Sequence, residues 1–119
     1  MGITLHGIIE WKNGRGGWES VAKVEFNKNY EFMRLLHEHA PKGWLKDIGY
    51  FAQNEQERGV DTGLSWCDLE KLKSILECKP DHPDDLAADR HQPKATMAFM
   101  ASLEEDGEAG STRVLFYEM

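Results

Sequence analysis

Alternation of apolar and polar positions is strongest near the start of the chain. There Ile3, Leu5, Gly7, Ile9 and Trp11 share one period-two face, and Thr4, His6, Ile8 and Glu10 share the other. A strand with one committed core face is predicted, and its opposite face sets an imidazole and a carboxylate on either side of Ile8. Asn13-Gly14-Arg15-Gly16-Gly17 then reads as a hairpin turn. Its backbone N–H groups could also cradle a phosphate, although no helix start follows directly as in a P-loop. The next run predicts the second strand, with Trp18, Ala22, Val24 and Phe26 toward the core and Glu19, Lys23 and Glu25 toward water, interrupted by Val21.

Asn27-Lys28-Asn29 supplies capping side chains for a helix from Tyr30 to Ala40, whose stripe is Phe32, Leu35, Leu36 and His39 and whose stop is Pro41 with Gly43. His37 and His39 lie about 200° apart around that helix and cannot chelate one metal from it. Residues 43–51 are short and aromatic, either one helical turn or a segment covering the core, and 53–59 read as a polar surface loop. Ser65-Trp66-Cys67-Asp68 has the form of a capping box before Leu69, Leu72, Ile75 and Leu76, which carry a helix to about Glu77. The stretch from Lys79 to Pro93 predicts a solvated acidic loop. It contains His82 and His91 with Asp81, Asp84, Asp85 and Asp89, but in no recognised metal-ligand spacing. Ala95 to Glu105 reads as a helix in preference to a strand because Ala, Met, Leu and Glu outnumber β-branched residues. Thr112 to Glu118 closes the pattern as a buried strand. The fold class is therefore α+β, one domain over 1–119: a small, mainly antiparallel sheet, built from the N-terminal hairpin and the C-terminal strand, covered on one face by about three helices.

Composition narrows the function classes. Fourteen Lys and Arg against 21 Asp and Glu give a net charge of −7, and no basic run is long enough to follow a phosphate backbone, so duplex nucleic acid is not an expected partner. The acidic residues are scattered, which argues against mimicry of nucleic acid. No apolar run of about 18 residues predicts a membrane span and no secretory leader is visible, so a cytoplasmic protein with free Cys67 and Cys78 is expected. No metal and no cofactor is called for. His6 and Glu10 are the candidate acid–base pair. Residues four apart on a strand stand about 13 Å from one another, however, so each needs a separate partner.

Four short stretches recur in order along the chain: Met1-Gly2 with His6 and Glu10; Asn29-Tyr30 with Phe32 and Leu35-Leu36; Ser65-Trp66 with Leu69 and Leu72; and Arg113-Val114-Leu115-Phe116-Tyr117. The series resembles a family of small bacteriophage-encoded proteins of uncharacterised function. Members open with Met-Gly-Cys-Asp-Ile-His and a Glu four residues after the His, contain Arg-Asn-Tyr-Asp-Leu-Phe, carry His-Ser-His-Ser before a helix, and close on Val-Arg-Ile-Val-Phe-Trp-Phe. This chain would be a divergent member, with Ile3-Thr4 in place of Cys-Asp and Thr62-Gly63-Leu64-Ser65 in place of the His-Ser pair. Losing an Asp and two His removes much of what could perform acid–base or metal chemistry, which leaves binding.

The resemblance implies a host-interaction protein, cytoplasmic in the infected bacterium, acting against a defence system. One physical route is to sequester a small nucleotide-like immune signal, stacking its bases on aromatic rings and meeting its phosphates with Arg and backbone N–H groups. Trp66, Tyr30, Arg58 and Arg15 lie at element ends or loops where such pockets form, and sites of this kind also form between subunits of a homo-oligomer. Two alternatives stand beside it. One is an enzyme that degrades the signal through His6 and Glu10; the other is an acidic inhibitor that docks on a host defence protein.

Overall fold

Alternating β-branched and aromatic residues make Leu5–Lys12 a strand, β1. Asn13 turns the chain back into β2, Trp18–Glu25. The side-chain Oδ1 of Asn13 accepts from the N–H groups of Arg15 at 2.9 Å and Gly17 at 3.1 Å, and its carbonyl accepts from Gly16 N–H at 3.1 Å. The amides that would cradle a phosphate are thus taken up inside the turn, and the glycine run is a plain hairpin turn.

The computed structural model describes residues 4–26, 30–42, 45, 47–59, 65–77, 91–105, 107 and 110–118. Besides β1 and β2 these form α1 (Tyr30–His39), α2 (Tyr50–Glu57), β3 (Ser65–Asp68), α3 (Leu69–Leu76), α4 (His91–Glu105) and β4 (Thr112–Glu118). The strands make one antiparallel sheet in the order β2-β1-β4-β3, so the α+β class stands, with the hairpin joined through β1 to the C-terminal strand. Met1 to Ile3, the capping residues 27–29, and Cys78 with most of the acidic stretch lie outside the described residues.

Leu5 and Ile9 of β1, Val114 and Phe116 of β4 and Cys67 of β3 lie on the core face of the sheet, against Phe32, Leu35 and Leu36 of α1, Leu72, Ile75 and Leu76 of α3 and Met100 of α4. Phe26, Phe32 and Phe116 form a ring triangle with centroids 5.4–5.7 Å apart, a spacing at which aromatic pairs add stability beyond their buried area. Cys67 is fully buried, and that burial pushes its thiol up to about 12, leaving it an inert part of the core.

Four expectations are corrected. The stretch 53–59 is not a surface loop: Tyr50–Glu57 is a helix, α2, and it covers the second face of the sheet with Ala52 against Ile8, Leu115 and Tyr117. Its inward residues, Ala52 and Glu55, are small or charged, so no apolar period betrays it. Ser65–Asp68 is not a capping box but strand β3, paired with Arg113–Phe116. The N-cap of α3 is Asp68, whose Oδ1 accepts Lys71 N–H at 2.8 Å. Trp18 does not face the main core. Ile9 pairs with Ala22 and Glu10 with Ser20, so the register shift leaves Val21 as the extra residue of a β-bulge. That residue moves Trp18 and Ser20 to the face carrying Glu10. The helix expected from Ala95 begins at His91, with Pro93 inside the first turn, where a missing N–H removes no intrahelical bond.

Candidate functional site

Glu10 and His6 share the α2-covered face, as their alternation requires, but the structure puts them to different uses. Glu10 is fully buried. Its Oε1 accepts from Arg113 Nε at 2.8 Å and lies 2.7 Å from Arg113 Nη2, and its Oε2 accepts the backbone N–H of Gly49. Arg113 also donates to the Asp47 carbonyl and stacks its guanidinium 3.9 Å above the Trp18 ring. One ion pair thus fastens β1, β4, β2 and the segment entering α2 together. Both carboxylate oxygens of Glu10 are engaged, and it has no open side toward a substrate. A carboxylate held this way stabilises and positions.

His6 stacks on Tyr117, ring centroids 5.1 Å apart and planes 12° from parallel. Beside this stack, Glu55 of α2 is 2 % exposed. Its Oε1 accepts Lys23 Nζ at 2.8 Å and lies 3.4 Å from Arg58 Nη1, whereas Oε2 has no hydrogen-bond partner among the described residues. The Lys23 hydrogen bond holds the Glu55 carboxyl below its ordinary value of 4.5, aided by the charges of Lys23, Arg58 and His6 and opposed by burial. Burial and the Glu55 charge raise the Tyr117 phenol.

The sign of the pH dependence follows from the lowered carboxyl. Stabilisation from Glu55 is fully present above its unfolded-state value near 4.5 and is lost as pH falls below that toward the folded-state value. Urea melts between pH 6 and pH 3 are expected to show a steeper loss of stability for the wild type than for Glu55→Gln. Parallel curves would mean that Glu55 contributes no linkage.

The candidate ligand residues do not converge. Arg58 is exposed next to Glu55, and half-buried Trp66 packs on the Ile8–Leu115 cluster. Arg15 is exposed in the hairpin turn at the other end of β1, too far along the strand to share one small ligand with Arg58. The side chain of Tyr30 lies outside the described residues. His37 and His39 are both exposed; His37 Nε2 is 3.2 Å from Glu118 Oε1. No group of three metal-ligating side chains is present among the described residues. Nor is any described helix long and apolar enough to cross a membrane.

The sequence did not point to the cavity at the Arg15 end of the sheet. About 410 Å³ in volume, it is lined by Trp11, Lys12, Asn13, Gly14, Gly16, Gly107 and Ser111. Residues of the β1–β2 turn form one wall and Gly107 and Ser111 the other, and Lys12 N–H donates to the Ser111 carbonyl at 2.8 Å. Ser111 Oγ is buried, with no hydrogen-bond partner among the described residues. The nearby carboxylate of Glu104 is turned to Gly110 N–H, Thr112 N–H and Thr112 Oγ1, at 2.9–3.2 Å. Neither Lys12 nor Arg15 has an ion-pair partner among the described residues. A cavity of this size, lined by the Trp11 side chain and by Lys12, with Arg15 in the turn that borders it, suits a small polar anion.

Searches against protein families, curated proteins and solved structures found no match for this chain.

Proposed function

We propose that this protein binds and sequesters a small nucleotide-like anion without converting it, and that the ligand sits in the cavity between the hairpin turn and Ser111. The observation that carries the reading is that cavity: Trp11 and Lys12 line it with an aromatic ring and a cationic residue in a chain of net charge −7. Binding is favoured over turnover because Glu10, the carboxylate nearest His6 along β1, is closed into its pair with Arg113. In the setting the phage resemblance implies, the ligand would be an immune signal withheld from the host.

The test is to incubate purified protein with a panel of cyclic and ADP-ribose-type nucleotides and to chromatograph the mixture before and after heat denaturation. The expected result is a nucleotide that disappears from the free pool and returns intact on heating, with the protein's elution volume reporting any homo-oligomer. A nucleotide that returns as product would replace sequestration with catalysis. If every nucleotide stays free and unchanged, an acidic inhibitor of a host defence protein becomes the better reading.

A further inference from the structure

We propose that the exposed face of α4 is the interface of an antiparallel homodimer, in which Lys94 of each copy pairs with Glu105 of the other. The inference concerns a different surface from the cavity and does not rest on it. Helix α4 turns Thr96 and Met100 inward, and Met97 and Leu103 pack on the core beside them. With about 100° of rotation per residue, Ala95, Ala98 and Ser102 run down the middle of the outward side, and all three are exposed. Phe99, 41 % exposed, lies along one edge of that face. Lys94 and Glu105, both exposed, lie along the other edge and at opposite ends of it. In a chain of which 29 % is charged, a helix face left to water normally carries charge along its length. Between Lys94 and Glu105 the one charged residue is Glu104, whose carboxylate is turned aside to Gly110 N–H and to Thr112.

The two end charges decide the occupant. Neither Lys94 nor Glu105 has an ion-pair partner among the described residues, and they stand about 16 Å apart along the helix axis. A second copy laid antiparallel, with the two-fold axis level with Phe99 and Met100, brings Lys94 of each copy beside Glu105 of the other in two equivalent pairs. The same axis sets Ala98 against Ala101 and Ser102, where short side chains let the helix axes approach to about 8 Å. It also brings the two Phe99 rings together on the far edge. A parallel copy would put lysine beside lysine and glutamate beside glutamate. One chain thus carries both halves of a self-complementary contact, as a two-fold interface requires.

Sedimentation velocity of the full chain over a range of concentrations tests this. The wild type is expected to show a monomer–dimer equilibrium. Ala98→Arg should leave only monomer, without lowering Tm at concentrations where the wild type is itself monomeric, because position 98 faces solvent. Lys94→Glu and Glu105→Lys should each weaken the dimer about tenfold, since two repulsive contacts replace two attractive ones. The double variant Lys94→Glu, Glu105→Lys should restore it, a result that a merely sticky apolar surface would not give. A chain that stays monomeric at every concentration overturns the proposal. So does a dimer that Ala98→Arg leaves intact, or one in which the charge-exchanged double variant is as weak as either single variant. A large fall in the Tm of monomeric Ala98→Arg would mean that the chain covers this face itself, and that outcome overturns the proposal as well.

Discussion

Glu10→Ala is expected to cost about 3–5 kcal/mol, the largest single loss on the α2-covered face of the sheet. Removing one partner of a buried ion pair leaves the other charged and without compensation. Here that partner is Arg113, whose side chain is 8 % exposed and whose Nε and Nη2 both turn to Glu10. At about 4 °C per kcal/mol for a domain of this size, Tm should fall by roughly 12–20 °C. The double variant Glu10→Met, Arg113→Met distinguishes a lost attraction from a stranded charge. It should recover part of the loss, since an apolar pair of similar volume avoids desolvating either ion. Full recovery is not expected, because Arg113 also holds the Asp47 carbonyl and the face of Trp18. If Glu10→Ala shifts Tm by less than 4 °C, the network is not the fastening described above.

Gly49→Ala should be nearly as damaging although it adds one methyl group. A Cβ at position 49 would lie 2.5 Å from Ser20 Oγ, 2.6 Å from Ser20 N and 2.9 Å from Glu10 Oε2. A hydroxyl can rotate away, but the backbone nitrogen of a strand cannot, so the entry to α2 must lift from β2. Lifting it removes the Gly49 N–H bond to Glu10 and stretches the Phe51 N–H bond to Ser20 Oγ, now 2.8 Å. Overpacking and the lost bonds together are expected to cost about 3 kcal/mol or more. Amide exchange within Tyr50–Glu57 should accelerate more than exchange in α1 or α3. Uniform acceleration would indicate that α2 is not the element displaced.

Strands β1, β2 and β4 are legible because their signal is local, whereas the four residues of β3 have the form of a capping box. Ile3 through Trp11 and Thr112 through Glu118 announce themselves by alternation and by β-branched and aromatic content, and Leu69 through Leu76 by helical spacing. What escaped the sequence depends on partners. Glu10 reads as a candidate acid–base group until Arg113, far along the sequence, is paired beside it. An arginine within the buried strand Thr112–Glu118, directly ahead of the apolar run Val114–Tyr117, is the available hint that a buried acid must exist. Alternation alone puts Trp18 on the core face, whereas one extra residue, Val21, reverses the side chains of β2 before it. That reversal depends on pairing and not on propensity. Helix α2 was missed because the surface it meets is made by β1 and β4, and a close approach there calls for Ala52 rather than a large apolar residue.

The candidate site was less legible still. His6 was read as part of a polar face, and it is, yet its ring lies against Tyr117 and not toward Glu10. The cavity at the hairpin end has no motif at all. It arises where two turns distant in sequence are drawn together by the Lys12–Ser111 bond, and only Arg15 among the residues singled out in advance stands near it.

The strand order also sets the sequence of events by which a nascent chain becomes this protein. β1 and β2 can close as a hairpin as soon as both have left the ribosome. Among the described residues β3 pairs with β4 alone, and β1 keeps one edge open until β4 arrives. The sheet is therefore sealed by the last of its strands to be synthesised, through contacts that span nearly the whole chain and carry a large loop-closure entropy. Until that moment the growing chain displays the unpaired edge of β1 and the apolar side of α3. This is the interval in which self-association competes with folding, and in which a chaperone would have something to hold.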